Sequence, residues 1–209
     1  MGRTSDARQR LVEAAAGLLS QRPYSSIGVA EICSAAGVQK GSFYYFFPSK
    51  QALVLAVIDE HWSRQRRDWL QAMQGSDTLI ERLHGLFRLT AEYQTTSLAG
   101  TGSVTGCLFG NLALELSGQD GAVRERLQAI FEEQIDLVEQ VIVEAVDAGQ
   151  VPPLNARAAA RSIVAQLEGL VLFAKLYNDP GQLEQLWRNS LSLLGVEPSV
   201  AMPDAAIAP

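Results

Sequence analysis

Little in this chain supports covalent or metal chemistry. Its 209 residues hold two cysteines, Cys33 and Cys107, too few for a disulfide framework and suited to a reducing compartment. The two histidines, His61 and His84, lack ligand spacing, so no metal site is expected. There is no phosphate-binding glycine loop, no GxSxG, no HExxH and no CxxC pair, so neither an enzyme nor a bound cofactor is expected. No apolar run approaches the roughly 18 residues of a membrane span, and no basic-apolar-small leader opens the chain. A soluble, cytoplasmic protein is the expectation. Period-two alternation is missing too, which leaves an all-α fold.

What is present is ordinary globular composition, 47% hydrophobic and 19% charged, with an uneven charge distribution. The net charge of −6 argues against a polyanionic partner, yet residues 1–50 carry +3 and the remainder −9. A basic head on an acidic body suits a protein of which only the head meets nucleic acid.

The stretch VAEICSAAGVQKGSFYYFFPSK, residues 29–50, reads as two short helices and a tight turn. Val29, Ile32 and Cys33 share one face of the first helix. Gly37 ends it, where glycine reaches a left-handed backbone without steric cost. Phe43 then locks the second helix inward, the spacing of a helix-turn-helix. Gln39, Lys40, Gly41, Ser42, Tyr44 and Tyr45 are left as the DNA-facing set. Pro48-Ser49-Lys50 stops this helix and caps the next, and Lys50 is expected at a phosphate. An amphipathic helix over 5–21 precedes it, with Leu11, Ala14, Ala15, Leu18 and Leu19 on one stripe. Arg3, Arg8 and Arg10 either approach phosphates or solvate the terminus.

Residues 8–58 resemble the DNA-binding signature of the TetR family of transcriptional repressors. Two positions depart from it: Gly28 stands where that family often has Thr, and Phe46 where it often has His. The resemblance implies an N-terminal three-helix head, a helical-bundle body that senses ligand and dimerises, and a palindromic DNA operator as partner.

Downstream, helical period gives a linking helix over 50–73 with Leu53, Val57, Trp62 and Trp69. A break at Gly75-Ser76-Asp77 and a helix over 78–96 follow, then a small-residue loop over 95–106. Further helices are expected over 107–117, 122–148, 155–177 and 182–194, about nine in all. The domains are therefore 1–50 for DNA binding, 51–195 for sensing and dimerisation, and 196–209 as a disordered tail. The last two helices are apolar over more than one face and are assigned to a homodimer interface. Arg64, Arg66 and Arg67, and the carboxylates Glu132 and Glu133, read as solvated helix faces.

Cys107 opens a helix, where the positive dipole end favours a thiolate, although a small buried hydrophobe is the commoner role of a free cysteine. GCLFGNLALE resembles a motif in one branch of TetR-like regulators, some of which respond to electrophiles or oxidants through a cysteine at this position. Lys175 matches a lysine of that branch. Trp62, Phe109, Asn111, Gln134 and Tyr177 are the expected walls of a ligand pocket. The reading is a dimeric repressor released by a small molecule or by modification of Cys107. Its alternatives are a ligand-independent architectural or partner-dependent DNA-binding protein, or a helical enzyme.

Overall fold

The structure is a computed structural model and describes residues 2–74 and 78–196, with side chains from Asp6 onward. The expected break at Gly75-Ser76-Asp77, the side chain of Arg3 and the tail over 197–209 lie outside the described residues. Those residues form nine α-helices, α1 Gly2–Gln21, α2 Val29–Ala36, α3 Lys40–Phe46, α4 Lys50–Ala72, α5 Leu79–Thr101, α6 Leu108–Leu116, α7 Gly121–Asp147, α8 Ala156–Tyr177 and α9 Gln185–Leu193, with no strand among them. Single 3-10 segments lie at Tyr24–Ser26 and Pro180–Glu184, the second taking the start of the expected last helix.

One boundary moves by five residues. The polar run at 95–101 is helical, and α5 ends at Gly102 with φ +76. Thr95 and Thr101 donate their hydroxyls back to the carbonyls of Ala91 and Ser97, at 2.9 Å each. Such back-bonding lets a hydroxyl-rich stretch continue a helix.

The chain divides into two compact units. The first comprises Met1–Arg64 and Leu108–Ala129, the second Gln65–Cys107 and Ile130–Pro209. The expected head, residues 1–50, falls within the first. In it α1 packs on α2 and both pack on α3. Leu11, Phe43, Leu53, Ile58 and Phe109 are wholly buried. The α1 stripe buries Leu11, Val12, Ala15 and Leu19, while Ala14 and Leu18 are half-buried.

In the second unit α8 packs on α9 and on the 3-10 segment Pro180–Glu184, which also meets α5. Trp69, Leu83, Phe87, Ile142, Ile163, Leu167 and Trp187 belong to its core. Arg157 of α8 bonds Glu132, Asp136 and Glu139 of α7, and Arg161 reaches Glu132 at 2.6 Å. Glu132 is therefore an inter-helix partner and not a bare solvated carboxylate.

Candidate nucleic-acid interface

The helix-turn-helix closes as its residues require. Gly37 caps α2 at φ +62, ψ 38; its N–H meets the carbonyl of Ser34, and the Val38 N–H that of Cys33 at 2.9 Å. Phe43 is fully buried between Tyr44 and Phe47, with ring centroids 5.1 and 6.0 Å away. Because Phe43 is held inward, the helical period turns Gln39, Lys40, Gly41, Ser42, Tyr44 and Tyr45 out, and all six are exposed. Tyr45 reaches 76% exposure, unusual for an aromatic without a partner surface. A Cβ on Gly41 would meet nothing, so the backbone there lies open to close approach.

The two departures from the family pattern have local consequences. Gly28 is the N-cap of α2 and offers no side-chain hydrogen bond. Phe46 is half-buried and packs edge-on to Tyr45 at 4.9 Å. Arg8 and Arg10 are both exposed; Arg8 lies 5.3 Å over the Phe47 ring, and Arg10 pairs with Asp6.

Lys50 is placed otherwise than expected. Its Nζ donates to the carbonyls of Tyr24 and Ile27, both at 2.9 Å, and lies 3.7 Å from the Tyr24 ring centroid. Burial lowers its pKa, and the nearby Glu115 carboxylate pulls it back up. Two of the three donors of this ammonium are thus directed at carbonyls of the chain itself.

The residues expected to sense ligand fall in both units. In the first, Trp62 and Phe109 are buried core residues, 6.2 Å apart between centroids, with His61 edge-on to the same Phe109 ring at 5.2 Å. Asn111 is half-buried. In the second, Cys107 is half-buried and Lys175 exposed. Burial lowers the Lys175 pKa and the charge of Cys107 raises it. Sequence reading missed Glu168 on α8. Burial pushes its carboxyl up, and a hydrogen bond from Cys107 lowers it. A lone carboxylate in the apolar run from Leu167 to Val171 was the available signal.

Gln134 is 1% exposed, and neither atom of its amide has a protein partner. Tyr177 is 64% exposed beside Phe173, with centroids 6.3 Å apart. A cleft of about 260 Å³ in the second unit is lined by Leu79, Arg82, Val141, Glu144, Ala145, Ala148 and Gln150. None of the expected sensing residues lines it.

Comparison with known proteins agrees with the helix-turn-helix. The family described as bacterial regulatory proteins, tetR family, matches residues 11–57, and the tetracyclin repressor-like C-terminal domain matches residues 79–190. The HTH-type transcriptional repressor DhaR of Mycobacterium sp. (strain GP1) is 32% identical over 88% of this chain and 90% of its own. The transcriptional regulator AcuR of Cereibacter sphaeroides is 33% identical over 87% of this chain and 82% of its own. Among solved structures, a regulatory protein TetR from Rhodobacter sphaeroides superposes with TM-score 0.80 at 33% identity, over 88% of this chain and 96% of that one. The reduced form of Escherichia coli NemR shares the fold, with TM-score 0.80 at 22% identity over 92% of this chain and 100% of that one. With its C-terminal match spanning more than half of its length, this DNA-binding transcriptional regulator belongs to the TetR family.

Proposed function

We propose that the protein is a dimeric repressor that binds a pseudo-palindromic operator through α3 and leaves it when the body takes a small molecule or is modified at Cys107. The observation that carries the reading is the orientation of α3. Phe43 is buried, while Gln39, Lys40, Ser42, Tyr44 and Tyr45 form one exposed polar face on a short helix behind a glycine turn. Such a face can read base edges and hold phosphates. In two-fold pairs, recognition helices meet half-sites about 34–36 Å apart. Residues 1–50 serve as the DNA-binding head and 51–195 as the sensing and dimerising body.

Two observations support a responsive body. Gln134 holds a buried amide with no protein partner, as a polar ligand group would require. Cys107 is the more accessible of the two cysteines, since Cys33 is 4% exposed with its thiol pushed up by burial. Cys107 contacts Glu168 and lies in the field of Lys175, groups able to take its proton and stabilise the thiolate. Together with the GCLFGNLALE motif, these contacts support reading Cys107 as a responsive thiol. Modification shifts the DNA affinity only through its different free energy in the bound and released arrangements.

The test is selection of duplexes from a random-sequence pool, followed by N-ethylmaleimide treatment of the bound complex. An enriched inverted repeat, released by the reagent from the wild type and retained by Cys107→Ser, is the expected result. Enrichment of no duplex would end the DNA reading, and release of Cys107→Ser by the same reagent would make Cys107 structural.

A further inference from the structure

The short connection between α1 and α2 is gripped by two side chains of opposite charge. The 3-10 turn Tyr24–Ser26 cannot pair its own first N–H groups. Tyr24 donates its N–H to Oε2 of Glu115 at 2.7 Å, and Ser25 donates to Oε1 at 2.8 Å. On the other side, Lys50 Nζ takes the carbonyls of Tyr24 and Ile27. A carboxylate thus meets the donors and an ammonium the acceptors of one four-residue segment, the stronger, charge-assisted form of each bond. Glu115 is the penultimate residue of α6, some 90 positions along the chain from the turn, and both belong to the first unit. Ile27 is buried, and the next residue, Gly28, is the N-cap of α2. The turn therefore fixes where α2 starts, and α2 carries α3.

We propose that Glu115 is a positioning residue for DNA binding: by holding the Tyr24 and Ser25 amides it sets the attitude of α2 and α3, without touching DNA itself. The inference rests on the DNA-binding reading above. Ser25 is exposed and Glu115 half-buried, so water can replace the lost acceptor and the fold survives the loss. What disappears is the fixed geometry. The sign of the effect separates this role from simple electrostatics. Removing a negative charge from the DNA-binding unit strengthens binding to a polyanion, whereas loosening the turn weakens it.

The experiment uses the duplex that the wild-type chain enriches from a random pool, with Glu115→Gln and Glu115→Ala in the full-length protein. Affinity is measured by fluorescence anisotropy across a potassium chloride series, and amide exchange over residues 22–30 by mass spectrometry of the free protein. Both variants are expected to bind about tenfold more weakly, with unchanged salt slope and faster exchange at Tyr24 and Ser25. Wild-type or tighter affinity in Glu115→Gln would overturn the proposal. So would unchanged exchange in that near-isosteric variant, whatever happens to the stability of Glu115→Ala. A wild-type chain that enriches no duplex would defeat the DNA reading and this inference with it; a wild-type chain that binds no better than its variants would defeat this inference alone.

Discussion

Lys50 carries three N–H donors, and two of them are occupied by the carbonyls of Tyr24 and Ile27. Lys40, by contrast, stands exposed in the first turn of α3. The two lysines therefore answer differently to removal. A lysine on a phosphate displaces a counterion, and its loss lowers the slope of log affinity against log salt by about one. Lys40→Met is expected to show that drop. Lys50→Met is expected to weaken binding with the slope unchanged, because its ammonium organises the turn. A slope reduced by about one in Lys50→Met would put that ammonium on a phosphate after all. Nothing in the local spacing around Pro48-Ser49-Lys50 could have shown this, since Glu115 and the turn meet only through tertiary structure.

At the scale of helices, periodicity and punctuation made most elements legible. Asn155 caps α8 by accepting from the Ala158 N–H at 3.0 Å, and Asn178 ends it at φ 53. Asparagine is a favoured residue type at both positions. Three kinds of feature escaped. A three-residue 3-10 turn such as Tyr24–Ser26 has no period to detect. The stretch 95–101 has loop composition, yet the Thr95 and Thr101 hydroxyls bond back within the helix. Contacts between distant helices escaped as well, and the pairing of α4 with α6 is the instructive case. His61 and Trp62 of α4 both pack edge-on to Phe109 of α6. Burial, and then the charge of Arg64, lower the His61 pKa to about 4. In the unfolded chain an imidazole titrates near 6.5, so between about pH 6.5 and 4 the unfolded state holds a proton that the native state excludes. Stability is therefore lost as pH falls through that window, by about 2 kcal/mol at pH 5, and none is lost from this source above pH 7. Urea denaturation at pH 7.5 and pH 5 checks it. His61→Phe is expected to shrink the difference between the two by about that amount, and an undiminished difference would assign it to other groups.

For the whole molecule, the question left by an over-apolar α8 is answered by dividing its surface. Ile163, Val164, Leu167, Val171 and Ala174 fill the core of the second unit. Leu172, Phe173, Leu176 and Tyr177 are 51, 46, 68 and 64% exposed. These four fall at i, i+1, i+4 and i+5, a single stripe along the helix. A contiguous exposed apolar stripe suits a protein–protein contact, and in the proposed two-fold pair the same stripe would serve both copies. The proposed pairing through it would matter for DNA because the second head would then bind intramolecularly, which multiplies affinity by about 10²–10⁴ without any new contact to the duplex. Leu176→Glu places a charge in that stripe while leaving the core of the unit untouched. The variant is expected to sediment as a monomer and to bind the full inverted repeat about a hundredfold more weakly. Its affinity for a duplex carrying one half-site is expected to match the wild type, because α3 is unchanged. A variant that still sediments as a dimer would move the interface away from α8. A loss of half-site binding equal to the loss on the full repeat would show that the substitution acts on the head and not on pairing.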